Sequence, residues 1–287
     1  MKTYNELFLE TRRALRTAGI TAFDLEARLI IMSATGKTRE ELLDASKLYI
    51  TDKEILDVVK DMTRRRLNGE PVAYIVGEWE FYGLPIKVNE NILIPRVDTE
   101  LLAGEAIRLL RARGGVSRVL DLCAGSGCIG LAIASNLPGC RIVLVDNSDH
   151  SHAVCRINMI NNRLSRNVAV IQADVLEPPP AIMSEYDMIV SNPPYIPTRD
   201  IESLDVSVRE YEPIHALDGG PDGLYFFRAI VTNWTSILKQ GGILAFECGQ
   251  GQAQAVRMII NDAGFTDIKV LKDTQGIERV VTGIKSQ

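Results

Sequence analysis

The amino-acid sequence predicts an α/β protein: a largely parallel sheet with an antiparallel C-terminal edge pair, plus a small all-helical N-terminal domain joined to it by a β-hairpin. Three observations carry that expectation. From residue 96 onward, short apolar runs alternate with helical patterns, as parallel strands with crossover helices require. The last two apolar runs, in "FTDIKVLKDTQGIERVVTGIK", follow one another with no helix between them, which only antiparallel neighbours allow. Before residue 70 the chain is rich in Leu, Ala, Glu, Arg and Lys, with apolar residues at helical spacing such as Leu25, Leu29 and Met32. The expected divisions are residues 1–70 (helical), 71–95 (hairpin linker) and 96–287 (α/β). At 287 residues and 46% hydrophobic, the chain has ample core for one large domain or two unequal ones.

In the helical part, Asp24 is placed to cap one helix and Gly36 to end it, and Thr51 with Glu54 fits a capping box for the next. "TRRRLNGEP" closes a helix with basic residues at its C-terminal end; Arg64, Arg65 and Arg66 read either as a solvated helix end or as a binding patch. "AYIVGEWEFYGLPIKVNENILIP" carries aromatic and β-branched residues around Gly83 and reads as the hairpin. After the helix of "RVDTELLAGEAIRLLRAR", the strands are "SRVLDLC", "CRIVLVDN", "NVAVIQAD", "YDMIVSN" and "GGILAFEC", and then the terminal pair. The helices between them are "GCIGLAIASNL", "HSHAVCRINMINNRL" and "GLYFFRAIVTNWTSILKQ".

Composition narrows the function. A net charge of -5 argues against a protein built mainly to grip nucleic-acid phosphates. The five cysteines form no C-x-x-C pair and suit a reducing cytoplasm. His150 and His152 lack a partner cluster, so no metal is implied. The first twenty residues carry charges throughout and no apolar run spans a bilayer, so a cytoplasmic protein without membrane partners is expected.

Four motifs carry chemistry. In "VLDLCAGSGCIG" a strand ends at Asp121, a glycine loop follows over Cys123, Ala124, Gly125, Ser126 and Gly127, and a helix starts near Ile129. Glycines admit close approach of a ligand and the helix start offers unpaired amides, although a plain glycine turn would read the same way. Asp121 sits where a pyrophosphate would tolerate no extra negative charge, so a cationic ligand is expected instead, and S-adenosylmethionine supplies a sulfonium and an ammonium. Asp146 ends the next strand about 20 residues on, the spacing of an acid that takes ribose hydroxyls. Asp174 ends a third strand, where it could accept from an adenine amino group while Val175 packs on the ring. The fourth motif is "YDMIVSNPPYIP": Pro193 and Pro194 cannot join a sheet ladder, so the strand must stop near Asn192, leaving a stiff tetrapeptide at a carboxyl strand end. An ordinary proline-closed turn is the alternative.

"NPPY" after an apolar strand, together with such a glycine loop, resembles S-adenosylmethionine-dependent methyltransferases acting on planar exocyclic or amide nitrogens. That nitrogen's lone pair is delocalised, so both N–H groups must be held by acceptors: the Asn192 side-chain oxygen and the Pro193 carbonyl, with Tyr195 against the planar group. "GEPVAYIVGEWEFYGLPIKV", "ILIPRVDTELL", "VSNPPYIP", "VREYEPIHALDGGPDGL" and "GIERVVTG" together resemble the release-factor glutamine methyltransferases, the HemK or PrmC family. The resemblance covers nearly the whole chain and is weakest in the first seventy residues. It implies a seven-stranded Rossmann-like methyltransferase domain that methylates the glutamine amide of the Gly-Gly-Gln motif of peptide-chain release factors. Its protein substrate, together with the net charge, leads to the expectation of a monomer with no direct nucleic-acid binding. The implied catalytic clamp is Asn192, Pro193, Pro194 and Tyr195. The implied cofactor contacts are Asp121, residues 123–127, Asp146, Asp174, Val175 and Asn192. The family's glycine and threonine are replaced by Cys123 and Ala124, and its second proline by Val97. For Arg96, Asp98 and Glu100, pocket closure and helix capping by Asp98 both stay open. Two other readings are a nucleic-acid amino-methyltransferase using the same clamp and a catalytically silent cofactor-binding partner.

Overall fold

The computed structural model describes residues 2–286. It divides into two compact units: the chain up to Glu78 together with Val206–Tyr211, and Trp79–Asp205 together with the chain from Glu212 onward.

The first unit is helical: α1 (Tyr4–Thr17), α2 (Phe23–Thr35), α3 (Arg39–Asp44), α4 (Lys53–Leu67) and α5 (Val72–Val76). Its core contains Leu15, Ile30, Ile31 and Val59, none more than 1% exposed. α2 buries Ala27, Ile30 and Ile31 rather than the expected stripe, and Leu25 is 50% exposed. Asp24 does not cap α2. It lies inside the first turn and pairs with Arg12 and Arg28 at 2.7 and 2.9 Å, while Gly36 does end the helix. The cap of α4 is Asp52, accepting from the Glu54 amide at 2.9 Å, not Thr51. The three arginines are each paired: Arg64 with Asp61, Arg65 with Glu70 and Arg66 with Glu26, which favours a tied helix end over a free basic patch.

The stretch "AYIV" expected in the hairpin is helical instead. α5 starts after Pro71, which presets the entry, and ends at Gly77 with φ 73°. The hairpin itself is β1 (Glu78–Phe81) and β2 (Leu84–Lys87).

The second unit continues with α6 (Thr99–Arg113), β3 (Arg118–Leu122), α7 (Cys128–Asn136), β4 (Arg141–Asp146), α8 (Asp149–Asn161), β5 (Val168–Gln172) and β6 (Tyr186–Ser191). The short α9 (Val206–Arg209) falls in the helical unit. Then come α10 (Tyr225–Trp234), β7 (Leu238–Glu247), α11 (Ala253–Asp262), β8 (Phe265–Lys272) and β9 (Glu278–Lys285). The sheet has seven strands in the order β5-β4-β3-β6-β7-β9-β8. β3 through β7 pair in parallel, while β9 runs antiparallel to both β7 and β8. Leu120, Ile189, Phe227, Trp234, Leu244, Phe246 and Val256, all 0% exposed, fill the core between sheet and helices. Each contributes roughly 1.5–3 kcal/mol by burial.

Strand order reverses between β3 and β6, because β4 and β5 extend the sheet on one side and β6 and β7 on the other. In open α/β sheets the crevice for a ligand lies at the carboxyl ends of the strands at such a point. The β3 loop and the 192–195 tetrapeptide both leave the sheet there.

Candidate active site

A cavity of about 560 Å³ opens at that edge, within the usual range for ligand sites. Its wall takes Cys123, Ala124, Gly125 and Ser126 from the β3 loop, Asp146 from the end of β4, Val175 from beyond β5, and Asn192 and Pro194 from beyond β6. Arg96 and Thr99 also line it.

The loop after β3 is held by carboxylates. Asp146 Oδ2 accepts from the Gly125 amide at 2.8 Å and Oδ1 from the Ser148 amide at 3.0 Å, which fixes the group at the cavity wall with lone pairs to spare. Gly125 has φ 55° and Cys123 φ 56°, so the tight turn uses the left-handed region twice, once at a residue with a Cβ. The Ala124 amide bonds the Val145 carbonyl at 3.0 Å, pinning the loop to β4.

Asp121 is placed differently from the sequence expectation. It is the penultimate residue of β3, 0% exposed and outside the wall, with Oδ2 accepting from the Gly130 amide at 2.8 Å. The carboxyl therefore ties the strand end to the first turn of α7 and does not face a ligand directly. Its Oδ1 has no partner, and burial pushes its pKa up to about 7. Asp174 lies two residues past β5 and outside the wall, with Oδ1 taking the Leu176 amide and Oδ2 the Asn147 side chain. Its neighbour Val175 is in the wall. Gly127, at φ 80°, precedes α7 and also stands outside the wall.

The tetrapeptide after β6 is stiff and closely backed. Pro193 and Pro194 are buried. A Cβ on Gly219 would stand 2.7 Å from Tyr195 Cα and 2.8 Å from the Pro194 carbonyl, so only glycine lets the backbones pass. Gln252 bridges the next strand: its Nε2 donates to the Tyr195 carbonyl at 2.8 Å and its Oε1 accepts from the Gly249 amide at 2.9 Å. The Tyr195 ring lies against Gly249 and the core rather than in the cavity wall, and burial raises its phenol so that it stays protonated. Asn192 is half-buried, and its Nδ2 donates to Thr99 Oγ1 at 3.3 Å, which leaves Oδ1 as the amide's acceptor.

Sequence reasoning left open the run around Arg96. Arg96 lies in the wall and is held there by the buried Glu212 at 2.5 Å. Asp98 makes no side-chain cap on α6 and instead meets Arg279 at 3.4 Å, while Glu100 accepts from the Tyr82 amide at 2.8 Å. Val97 is 78% exposed, so the proline-to-valine departure sits at the surface. Sequence reasoning missed Thr99, Glu212, Gly219 and Gln252. The paired glycines of "DGGPDGL", within a stretch that carries the family resemblance, were the available signal for Gly219.

Among the described residues no group of His, Cys, Asp and Glu is arranged to hold a metal ion, and no helix is long and apolar enough to cross a membrane. Burial pushes the Cys128 thiol up to about 12 and also raises Cys123 and Cys155, so none offers a thiolate nucleophile near neutral pH. What the arrangement offers is an acceptor-rich wall for a polyhydroxylated ligand on one side and a rigid amide acceptor on the other.

The family model of a methyltransferase small domain matches residues 100–207, and that of a PrmC N-terminal domain matches residues 6–77. A methyltransferase structure from Pyrococcus furiosus has the same fold at a TM-score of 0.52, covering 79% of this chain and 100% of its own at 15% identity. The fold and the matched family models thus mark a methyltransferase. Proteins named release factor glutamine methyltransferase, from Caulobacter vibrioides and Geobacter sulfurreducens, are 37% and 40% identical to it, each over 95% of this chain and 93% of their own. The chain belongs to the release factor glutamine methyltransferase family.

Proposed function

We propose that the cavity binds S-adenosylmethionine and that the protein methylates the side-chain amide nitrogen of the glutamine in the Gly-Gly-Gln motif of peptide-chain release factors. The observation that carries the reading is Asn192, with its oxygen free of the Thr99 contact, in the wall of the cavity shared with Asp146 and the β3 loop.

The residues present fit the cofactor. Asp146, already fixed by two amides, has lone pairs left for a ribose diol, and Val175 and Phe226 give an apolar seat for a purine. A bound cation would favour the ionised form of Asp121, whose buried oxygen beneath the loop has no partner. When bound, the sulfonium supplies an electrophilic methyl group.

The chain's own work is orientation. An amide nitrogen is a weak nucleophile because its lone pair is delocalised into the carbonyl. Asn192 Oδ1 and the Pro193 carbonyl are assigned as acceptors for the two N–H groups, which would aim the lone pair into the cavity. The two prolines fix the backbone between these acceptors, so little reorganisation remains at the moment of reaction. Once methylated, the nitrogen is strongly acidic and gives its proton to water, which is why the site needs no dedicated base.

The test is methyl transfer from labelled S-adenosylmethionine to an intact release factor, with duplex DNA and ribosomal RNA as rival acceptors. Label on the release factor alone supports the reading. Label on nucleic acid would favour an amino-methyltransferase with the same clamp.

A further inference from the structure

Two buried polar side chains that make up no part of the clamp stand directly behind Asn192. Thr99 opens α6 and is 2% exposed, with Oγ1 3.3 Å from Asn192 Nδ2. Glu247 closes β7 and is also 2% exposed. β6 and β7 pair in parallel with Ser191 opposite Phe246, so Asn192 and Glu247 come next in register at the two strand ends. The Thr99 hydroxyl stands beside the Glu247 carboxyl and favours its charged form, and the carboxyl's Oε2 has no hydrogen-bond partner. Burying a carboxyl with an unpaired oxygen costs stability, so packing alone gives this position no reason to be glutamate.

An asparagine amide can sit in its pocket either way round, and only one of the two presents oxygen to a substrate N–H. Thr99 by itself would not decide between them, because a hydroxyl can donate to Oδ1 as readily as it accepts from Nδ2. A carboxylate beside it removes that freedom. Once ionised, which burial delays to about pH 7, Glu247 accepts from the hydroxyl in a charge-assisted bond, and Thr99 then has only lone pairs to show Asn192. The flipped amide would set oxygen against oxygen. From the surrounding elements Arg279, Asp98 and Arg96 act on Glu247; Arg279 is itself engaged by Asp98 and by Asp273 at 3.4 and 3.2 Å.

We propose that Glu247 and Thr99 are positioning residues that lock the Asn192 amide with its oxygen facing the substrate. The inference rests on the proposed amide methylation for its effect on rate, but not for its effect on Asn192 itself. Neither residue touches the reacting atoms.

Three variants of the full chain test it: Thr99→Val, which keeps the shape and removes the hydroxyl, Thr99→Ser, which restores it, and Glu247→Gln. The first readout is the Asn192 side-chain amide in asparagine-labelled protein without substrate, its signal identified by its loss in Asn192→Asp. The expected native pattern is one Nδ2 proton that exchanges slowly; Thr99→Val should abolish the slow exchange and Thr99→Ser should keep it. The second readout is single-turnover methyl transfer at saturating cofactor. Thr99→Val is expected to lose about tenfold or more, Thr99→Ser to stay within about threefold of native, and Glu247→Gln to fall between them. If Thr99→Val keeps either the native amide signal or the native rate, the proposal is overturned. Should Thr99→Val fail to melt cooperatively, Glu247→Gln decides by the same two readouts. If the native enzyme transfers no methyl group to release factors, the functional reading fails while the amide signal still decides this one.

Discussion

The two lips of the cavity are built in opposite ways. The β3 loop is held by neighbours close in the chain: Asp121 takes the Gly130 amide nine residues on, and Asp146 takes Gly125 twenty-one residues back. The 192–195 tetrapeptide is held from far away, by Thr99 across 93 residues, by Gln252 across 57, and by the close backing of Gly219. The first lip binds by local turn chemistry and spends conformational strain to do so. The second is a rigid insert that the rest of the sheet clamps. The difference assigns them different work: the first should govern cofactor affinity, and the second should govern rate.

The largest expected effect is at the second lip. Asn192→Ala removes the acceptor that orients the amide, at about 2.7–4 kcal/mol in barrier, so single-turnover rate should fall about a hundredfold or more. Asn192→Asp, retaining an oxygen, should lie between alanine and native. The thermal midpoint should move little in either case, because the prolines and not the side chain set the turn. Next comes the first lip: Asp146→Ala deletes a charged acceptor worth roughly 1.5–3 kcal/mol, and the cofactor dissociation constant from calorimetry should rise about tenfold or more. A variant at either position that moved the other lip's quantity by as much would erase the distinction. Gly219→Ala tests the backing of the second lip. With a Cβ meeting the Tyr195 backbone at 2.7 Å, it should cost about 1–3 kcal/mol of stability in a denaturant titration.

Each lip also rests on one buried acid with an orphaned oxygen, Asp121 under the first and Glu247 behind the second. Burial raises them from 3.8 and 4.5, respectively, to about 7. The folded protein then holds protons that the unfolded chain releases, so this contribution to stability is complete at low pH and is lost as pH rises through about 7. Melting curves between pH 5 and pH 8 should show that decline, and Asp121→Asn or Glu247→Gln should flatten it. The smallest effect is Cys123→Gly. Relieving the left-handed φ of 56° should return about 1 kcal/mol, offset in part by the greater freedom of glycine in the unfolded chain.

The same contrast explains what could be read from sequence. β3, β4 and β6 were legible because each is a continuous apolar run stopped by an acid, a glycine or a proline, signals that act within a few residues. Capping was less legible: Asp52 displaced Thr51, and Asp24 entered the first turn of its helix, because one residue of difference in where a chain enters a helix changes which side chain can reach its amides. "AYIV" has strand-like composition yet is helical, and four of the five residues of α5 are buried: Val72, Ala73, Tyr74 and Ile75. Pro71 and Gly77 at its ends and packing of that face outweighed propensity. At the site, the wall residues 123–126 and Asp146 carry local marks. Thr99 and Glu247 carry none, since an isolated threonine and glutamate acquire meaning only once α6 and β7 bring them to Asn192.

The account stands most directly on where the methyl group goes. A native release factor and one with the Gly-Gly-Gln glutamine replaced by asparagine should be incubated with the enzyme and S-adenosylmethionine, and their peptides mapped by tandem mass spectrometry. The account predicts one added methyl on the side-chain amide of that glutamine and none on the replaced factor. A methyl group found elsewhere on the native factor, or equally on both proteins, would contradict it.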